Sequence, residues 1–200
     1  MDKKIREPKQ TRSVEKKRRI IEAGYELFAE KGYLNTNTAE IAKKAEVSVG
    51  LVYGYFKDKR DILLDVLDIY IERVLEPIIS VFEQISSPLN FEWMINHIVD
   101  KAVELHKNNS LIHETLHSMT YLDDVFRERF LMIENKMTKK IVEAIKKTEY
   151  CPIDLEEKVH LSFEIIQSYA HECVYDHHEY LNYKYMRENI VKMLSSIFIA

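Results

Sequence analysis

Residues 32–63 read G-Y-L-N-T-N-T-A-E-I-A-K-K-A-E-V-S-V-G-L-V-Y-G-Y-F-K-D-K-R-D-I-L. Asn37 with Glu40 three positions on is a capping box in its Asn form, which opens a helix. Ile41, Ala42 and Ala45 give that helix an apolar face, and it ends near Glu46. Ser48 caps a second helix carrying Val49 to Phe56, and Asp58 caps a third. The first two are joined by a very short turn, the pattern of a helix-turn-helix.

Upstream, Ile20, Ile21, Leu27 and Phe28 recur at helical spacing between Val14 and Lys31. Gly24 falls on that apolar face, where another helix is expected to approach closely. Gly32 is expected to end this helix, with Tyr33 folding back. Residues 1–12 are polar, contain Pro8, and are expected to form a disordered basic arm. Downstream of Asp58, Ile62, Leu63, Val66, Leu67, Ile69, Tyr70 and Val74 extend a long helix to Pro77. The four glycines, Gly24, Gly32, Gly50 and Gly54, all precede residue 55, so the remaining sequence lacks ordinary strand-turn chemistry. Further helices are predicted over about 77–86, 89–107, 110–120, 122–147, 154–179 and 183–198. The fold class is therefore all-α. An N-terminal three-helix helix-turn-helix domain (13–60) is joined by a long helix to a C-terminal helical domain (61–200).

The formal charge of −4 conceals a division. Residues 1–60 hold 15 Lys/Arg against 9 Asp/Glu, and residues 61–200 hold 14 against 24. A basic module that meets an anion is followed by an acidic one with another task. Cys151 and Cys173 form no metal-binding pair, which fits a reduced cytoplasmic chain. No apolar run approaches membrane-spanning length, and no apolar segment follows the charged N-terminus. No glycine-rich phosphate loop, G-x-S-x-G or Cys–His pairing argues for an enzyme or an organic cofactor.

The quoted stretch strongly resembles the DNA-binding domain of the TetR family of bacterial transcriptional regulators, over about residues 14–63. The family's Gly-aromatic, Thr-rich cap, I-A-x-x-A, V-S-x-G and L/V-Y-x-Y-F elements stand here at the same spacings. Two positions depart: Glu46 stands where a glycine is common, and Gly54 where a large or polar side chain is usual. The resemblance implies a homodimer on a palindromic double-stranded operator, most simply a repressor released by a small hydrophobic effector. It implies that the hydroxyls of Thr38, Tyr53 and Tyr55 and the ammonium of Lys59 hold phosphates, helped by the N-terminus of the long helix. Ser48, Val49, Gly50, Leu51, Gly54 and Lys57 complete the expected DNA surface, with Val49, Gly50 and Leu51 nearest the base edges. Lys43, Lys44 and Lys57 are either longer-range phosphate contacts or solvated surface. Gly54 either admits a close approach or frays the helix end. The exposed face of this helix carries no Arg, Lys, Asn or Gln, so A·T-biased sites read through methyl groups and shape are expected. Lys9 and Arg12 from the arm would reach a minor groove.

In the C-terminal half the resemblance implies an effector pocket. Candidates are Phe82, Trp93, His97, His113, His117, Phe126, Phe130, Tyr169 and Cys173, each of which would equally serve as core. The last two helices imply a dimer bundle through Leu161, Ile165, Ser168, Tyr169, Ile190, Leu194 and Ile197, a series that also fits an internal core. His113 and His117 lie four apart but lack a third ligand, so no metal site is expected. The alternative reading is a DNA-binding protein whose C-terminal domain takes a protein partner or a metal.

Overall fold

In a computed structural model of the protein, residues 11–83 and 89–199 are described. The described residues form nine α-helices and no strand: α1 (Thr11–Lys31), α2 (Thr38–Lys44), α3 (Val49–Tyr55), α4 (Lys59–Glu83), α5 (Phe91–Asn108), α6 (Ser110–Leu122), α7 (Asp124–Lys146), α8 (Leu155–Val174) and α9 (Tyr183–Ile199). They group into two compact units, residues 11–73 with 109–127, and residues 74–83 and 89–108 with 128–199. The first unit thus extends beyond the expected 13–60 and takes in α6, because α1 packs on α6 as well as on α2 and α3. Residues 1–10 of the expected arm lie outside the described residues, whereas Thr11 and Arg12 already belong to α1.

Apolar spacing builds the first unit. Ile20 and Phe28 of α1, Ile41 of α2, Val52 of α3 and Ile62, Leu63, Val66 and Leu67 of α4 are fully buried. Ile112 and Leu116 of α6 and Phe126 join them. Gly24 marks the crossing of α1 and α4, since a Cβ there would lie 2.8 Å from Ile62 Cγ2. Gly32 takes a φ of 81° and donates its N–H to Phe28 O at 3.0 Å, closing α1 as expected. Tyr33 then folds back on Phe28, the ring centroids 5.4 Å apart. At α2, Asn37 and Glu40 cap each other's backbone reciprocally.

The turn of the helix-turn-helix is a Schellman motif. Val47 N–H donates to Ala42 O at 3.0 Å, and Glu46 N–H to Lys43 O at 3.1 Å. This forces Glu46 to a φ of 53°, a left-handed conformation that costs an L side chain about 1 kcal/mol. Its carboxylate meets Arg19 at 2.8 Å, an exposed pair that offsets little. We expect Glu46→Gly to stabilise the protein by about 1 kcal/mol, or ~2–4 °C in thermal midpoint. An unchanged or lower midpoint would show that the turn bears no strain.

The predicted break at Pro77 does not occur, and α4 continues to Glu83. A proline inside a helix removes one N–H donor, here the partner of the Arg73 carbonyl. Burial of Ile78 and Phe82 beyond it keeps the helix going. Ser86, Ser87 and Pro88 lie outside the described residues. Within the second unit α5 packs on α8 and α9, around Met94, Ile95, Val99, Ala102, Ile166, Ala170 and Leu194. Arg187 of α9 grips Asp100 of α5 with two bonds of 2.7 Å.

Candidate nucleic-acid interface

The seven residues of α3 divide cleanly by exposure. Val52 is fully buried, and the C-cap Phe56 almost so, which seats the helix on the core as its spacing predicts. Ser48 accepts a hydrogen bond from Leu51 N–H at 3.2 Å and starts the helix. On the outer side Val49 is 40% and Tyr53 43% exposed, with Leu51 half-buried between them. A Cβ added at Gly50 or Gly54 would meet nothing within 4 Å. Gly54 belongs to the helix proper, since Phe56 N–H still closes on Val52 O at 2.9 Å. It faces open space rather than ending a frayed turn.

Thr38 Oγ1 and the Tyr53 hydroxyl lie 2.9 Å apart at the surface, so α2 and α3 bring two expected phosphate ligands to one point. Tyr55 is not with them. It is buried, and its hydroxyl bonds Ser13 Oγ of α1 at 2.6 Å. Three residues after Val52, it shares that residue's inner face. Its role is to tie α3 to α1.

Lys59 also departs from expectation. Its ammonium donates to the carbonyls of Tyr33 and Thr36 at 2.6 and 2.8 Å and lies 4.1 Å from the centre of the Tyr33 ring. Burial pulls its pKa below the usual lysine value. This lysine locks the α1–α2 loop against the start of α4. The N-terminus of α4 is likewise occupied, because Asp58 Oδ1 accepts from Asp61 N–H at 3.0 Å and Asp61 Oδ2 from Lys57 N–H at 2.9 Å. Two carboxylates there repel a phosphate.

Several other cations are held internally. Lys44 bridges Glu26 and Glu30 at 2.9 and 3.0 Å, Lys31 meets Glu40 at 2.6 Å, and Lys17 meets Asp65 at 2.6 Å. Arg60 donates to Asp123, whose carboxyl is held below the usual carboxylate range by that bond. Lys43 and Lys57 are exposed and form no ion pair among the described residues. They flank α3, one before it and one after. Sequence spacing placed all these lysines together, whereas only the fold separates the paired from the free.

The expected effector residues scatter. In the second unit a cavity of about 50 Å³ is lined by Ile78, Phe82, Met94, Ile98, Ala102, Ile141 and their apolar neighbours, with Ser162 and Gln167 as its neutral polar members. Phe82 alone of the expected set lines it. Trp93 and His97 lie on the exposed side of α5, their rings 4.1 Å apart. They lie on either side of the buried Met94 and Ile95 in sequence, four positions apart on the wet face of the helix. Phe126, His113 and His117 belong to the first unit. Phe126 is fully buried beneath the Arg60 guanidinium, and His113 Nδ1 bonds the Tyr70 hydroxyl. Phe130 is half-buried and does not line the cavity. Tyr169 is buried, donates to Tyr183 O at 3.1 Å and lines a separate groove with Ile165, Ser168 and Ile190. Cys173 stands half-buried beside it, and burial raises its thiol pKa. Of the expected dimer residues, Leu161 is 49% exposed and Ile165, Ile190 and Ile197 are half-buried, but Leu194 is fully buried in its own unit.

Residues 20–66 match the family model described as bacterial regulatory proteins, tetR family. Over 90 residues the chain is 37% identical to HbdR, an HTH-type transcriptional regulator of Aromatoleum sp. strain CIB. That match covers 43% of this chain and 39% of HbdR, so the chain spans about two fifths of this relative. A second relative, the HTH-type transcriptional regulator YttP of Bacillus subtilis strain 168, is 28% identical over 196 residues, 92% of this chain and 95% of YttP. A crystal structure from Mesorhizobium loti, described as a TetR-family transcriptional regulator, superposes with a TM-score of 0.75 at 20% identity, covering 95% of this chain and 98% of that one. None of the helices described is long and apolar enough to cross a membrane.

Proposed function

We propose that the chain is a DNA-binding transcriptional regulator of the tetR family, whose model residues 20–66 match, and that it acts as an effector-released repressor. As a homodimer it would place one helix-turn-helix in each half of a palindromic operator. The observation that carries the DNA side is the outward face of α3 between the unpaired Lys43 and Lys57. In this reading Thr38 and Tyr53 bring their hydroxyls to one phosphate, one donating to the other and the second donating to the phosphate, and the two lysines attract its neighbours. Ser48 sets the entry of α3, and Gly50 and Gly54 leave its backbone open.

The regulatory side rests on the cavity of the second unit. Its lining contains no charged residue, which suits a neutral, hydrocarbon-rich effector. A dry apolar cavity known to take a benzene ring measures about 150 Å³. At about 50 Å³, the lining must give way on binding. Ile78 and Phe82 are part of that lining, and they sit on α4, whose N-terminal half supplies Ile62 to Leu67 to the DNA-binding unit. An effector would thus favour one position of α4 over another, and it can shift the equilibrium only by its difference in affinity for the two. Dimerisation is assigned to α8 and α9, where Leu161 and Met193 remain 49% and 45% exposed beside Ile165 and Ile190.

The test is a thermal-shift screen of neutral apolar molecules followed by operator release. A molecule that raises the midpoint and frees the DNA is expected, and Ala102→Leu, which fills the cavity, should abolish both effects. A protein that binds its operator but releases it for no such molecule would leave the regulator reading intact and refute the effector.

A further inference from the structure

The bases that α3 prefers can be read from what it exposes, granted that it enters the major groove as proposed above. Residues 49–55 contain no charged or amide side chain. Of the hydroxyls nearby, Tyr55 is turned inward to Ser13, Tyr53 pairs with Thr38 at the phosphate contact proposed above, and Ser48 accepts from Leu51 N–H at the start of the helix. Of the lysines close in sequence, Lys44 is turned to Glu26 and Glu30 and Lys59 to two carbonyls, while the exposed Lys43 and Lys57 lie outside α3 and are given to phosphates in the proposal above. Besides Tyr53, α3 presents the isopropyl group of Val49, the half-buried isobutyl group of Leu51 and bare backbone at Gly50 and Gly54.

Guanine is read by arginine or lysine and adenine by asparagine or glutamine, through paired hydrogen bonds. None of these stands on α3. In the major groove, hydrocarbon finds its complement in the 5-methyl group of thymine. We infer that Val49 and Leu51 are the specificity-determining residues of this regulator, and that they select thymine methyl groups at the base pairs they cover. The glycines let the helix axis sink closer to the bases, which brings two short side chains within reach.

The closing experiment removes only the methyl. An operator is first selected from random duplexes, and each thymine is then replaced in turn by deoxyuridine. At one or more positions per half-site, affinity is expected to fall about fourfold, the effect of one methyl group leaving an apolar contact. Restoring the methyl with 5-methyldeoxycytidine opposite guanine should recover part of the loss relative to deoxycytidine. In a Val49→Ala/Leu51→Ala variant, the response to deoxyuridine should disappear. A selected operator insensitive to deoxyuridine overturns the inference, as does a response unchanged in the double variant. Neither result touches DNA binding itself. Selection of no preferred sequence at all would instead refute the operator reading on which the inference stands. Deoxyuridine substitution leaves the protein unaltered, so the outcome does not depend on how well the variant folds.

Discussion

Replacing Lys43 and Lys57 together by glutamate is expected to weaken operator binding by at least ~100-fold at low salt, while leaving the fold intact. Most of the positive charge near α3 is spent inside the protein. Lys17, Lys31, Lys44, Arg19 and Arg60 each face a carboxylate, and Lys59 faces carbonyls. Affinity for the phosphate backbone therefore rests on few cations. Each phosphate neutralised contributes a slope of about 0.9 to the fall of log affinity with log salt. Neutral variants, Lys43→Gln and Lys57→Gln, should lower that slope by about 1 each per protomer. The glutamates add repulsion to that loss. Both lysines are exposed and outside any ion pair among the described residues, so stability should change by less than ~0.5 kcal/mol. Fluorescence anisotropy across a salt series measures affinity and slope together. An unchanged slope in the double glutamine variant would show that α3 does not meet DNA in this orientation.

Much of this unit was legible because its signals are local. The Asn37–Glu40 capping box, the Ser48 cap and the glycine stop at Gly32 each involve residues within four positions, and each forms as the sequence predicts. Val52 and Phe56 were assignable to the core by spacing alone. What was not legible depends on distant partners. Nothing near Lys59 in the chain announces that Tyr33 and Thr36 will cage its ammonium from 26 and 23 positions away. Nor does the sequence around Tyr55 reveal Ser13, 42 positions away. The left-handed Glu46 lies between these cases. The family's usual glycine at that position marks a special backbone, and the Schellman hydrogen bonds supply its cause. In the second unit the apolar series names core and cavity with one alphabet. Phe82 lines the cavity while Trp93 points outward, and only the packing of α5 on α8 and α9 decides which is which.

Gly24 offers the strongest packing test, because helix propensity and close packing predict opposite signs there. In an exposed helix, Gly→Ala stabilises by about 1 kcal/mol. At Gly24 the added Cβ would stand 2.8 Å from Ile62 Cγ2 and 3.4 Å from Val66 Cγ2. Both partners are fully buried, and each offending methyl is fixed to a branched Cβ rather than to the end of a flexible chain. To relieve the contact α1 and α4 must separate, which loosens the packing of Ile20, Phe28, Leu63 and Leu67. Overpacking of this kind costs about 1–3 kcal/mol, so Gly24→Ala is expected to be destabilising in spite of propensity. Gly24→Val should be worse and unfold the DNA-binding unit. Ile62→Leu moves the branch one carbon outward at constant volume, removing Cγ2. In the Gly24→Ala background it should recover most of the loss, although alone it costs stability. Thermal midpoints of the four combinations form a double-mutant cycle, and the coupling should be favourable by about 1 kcal/mol or more. Strict additivity, or a stabilised Gly24→Ala, would mean that α1 and α4 adjust freely at this crossing. In that case the contact would not fix the position of α4 against the helix-turn-helix.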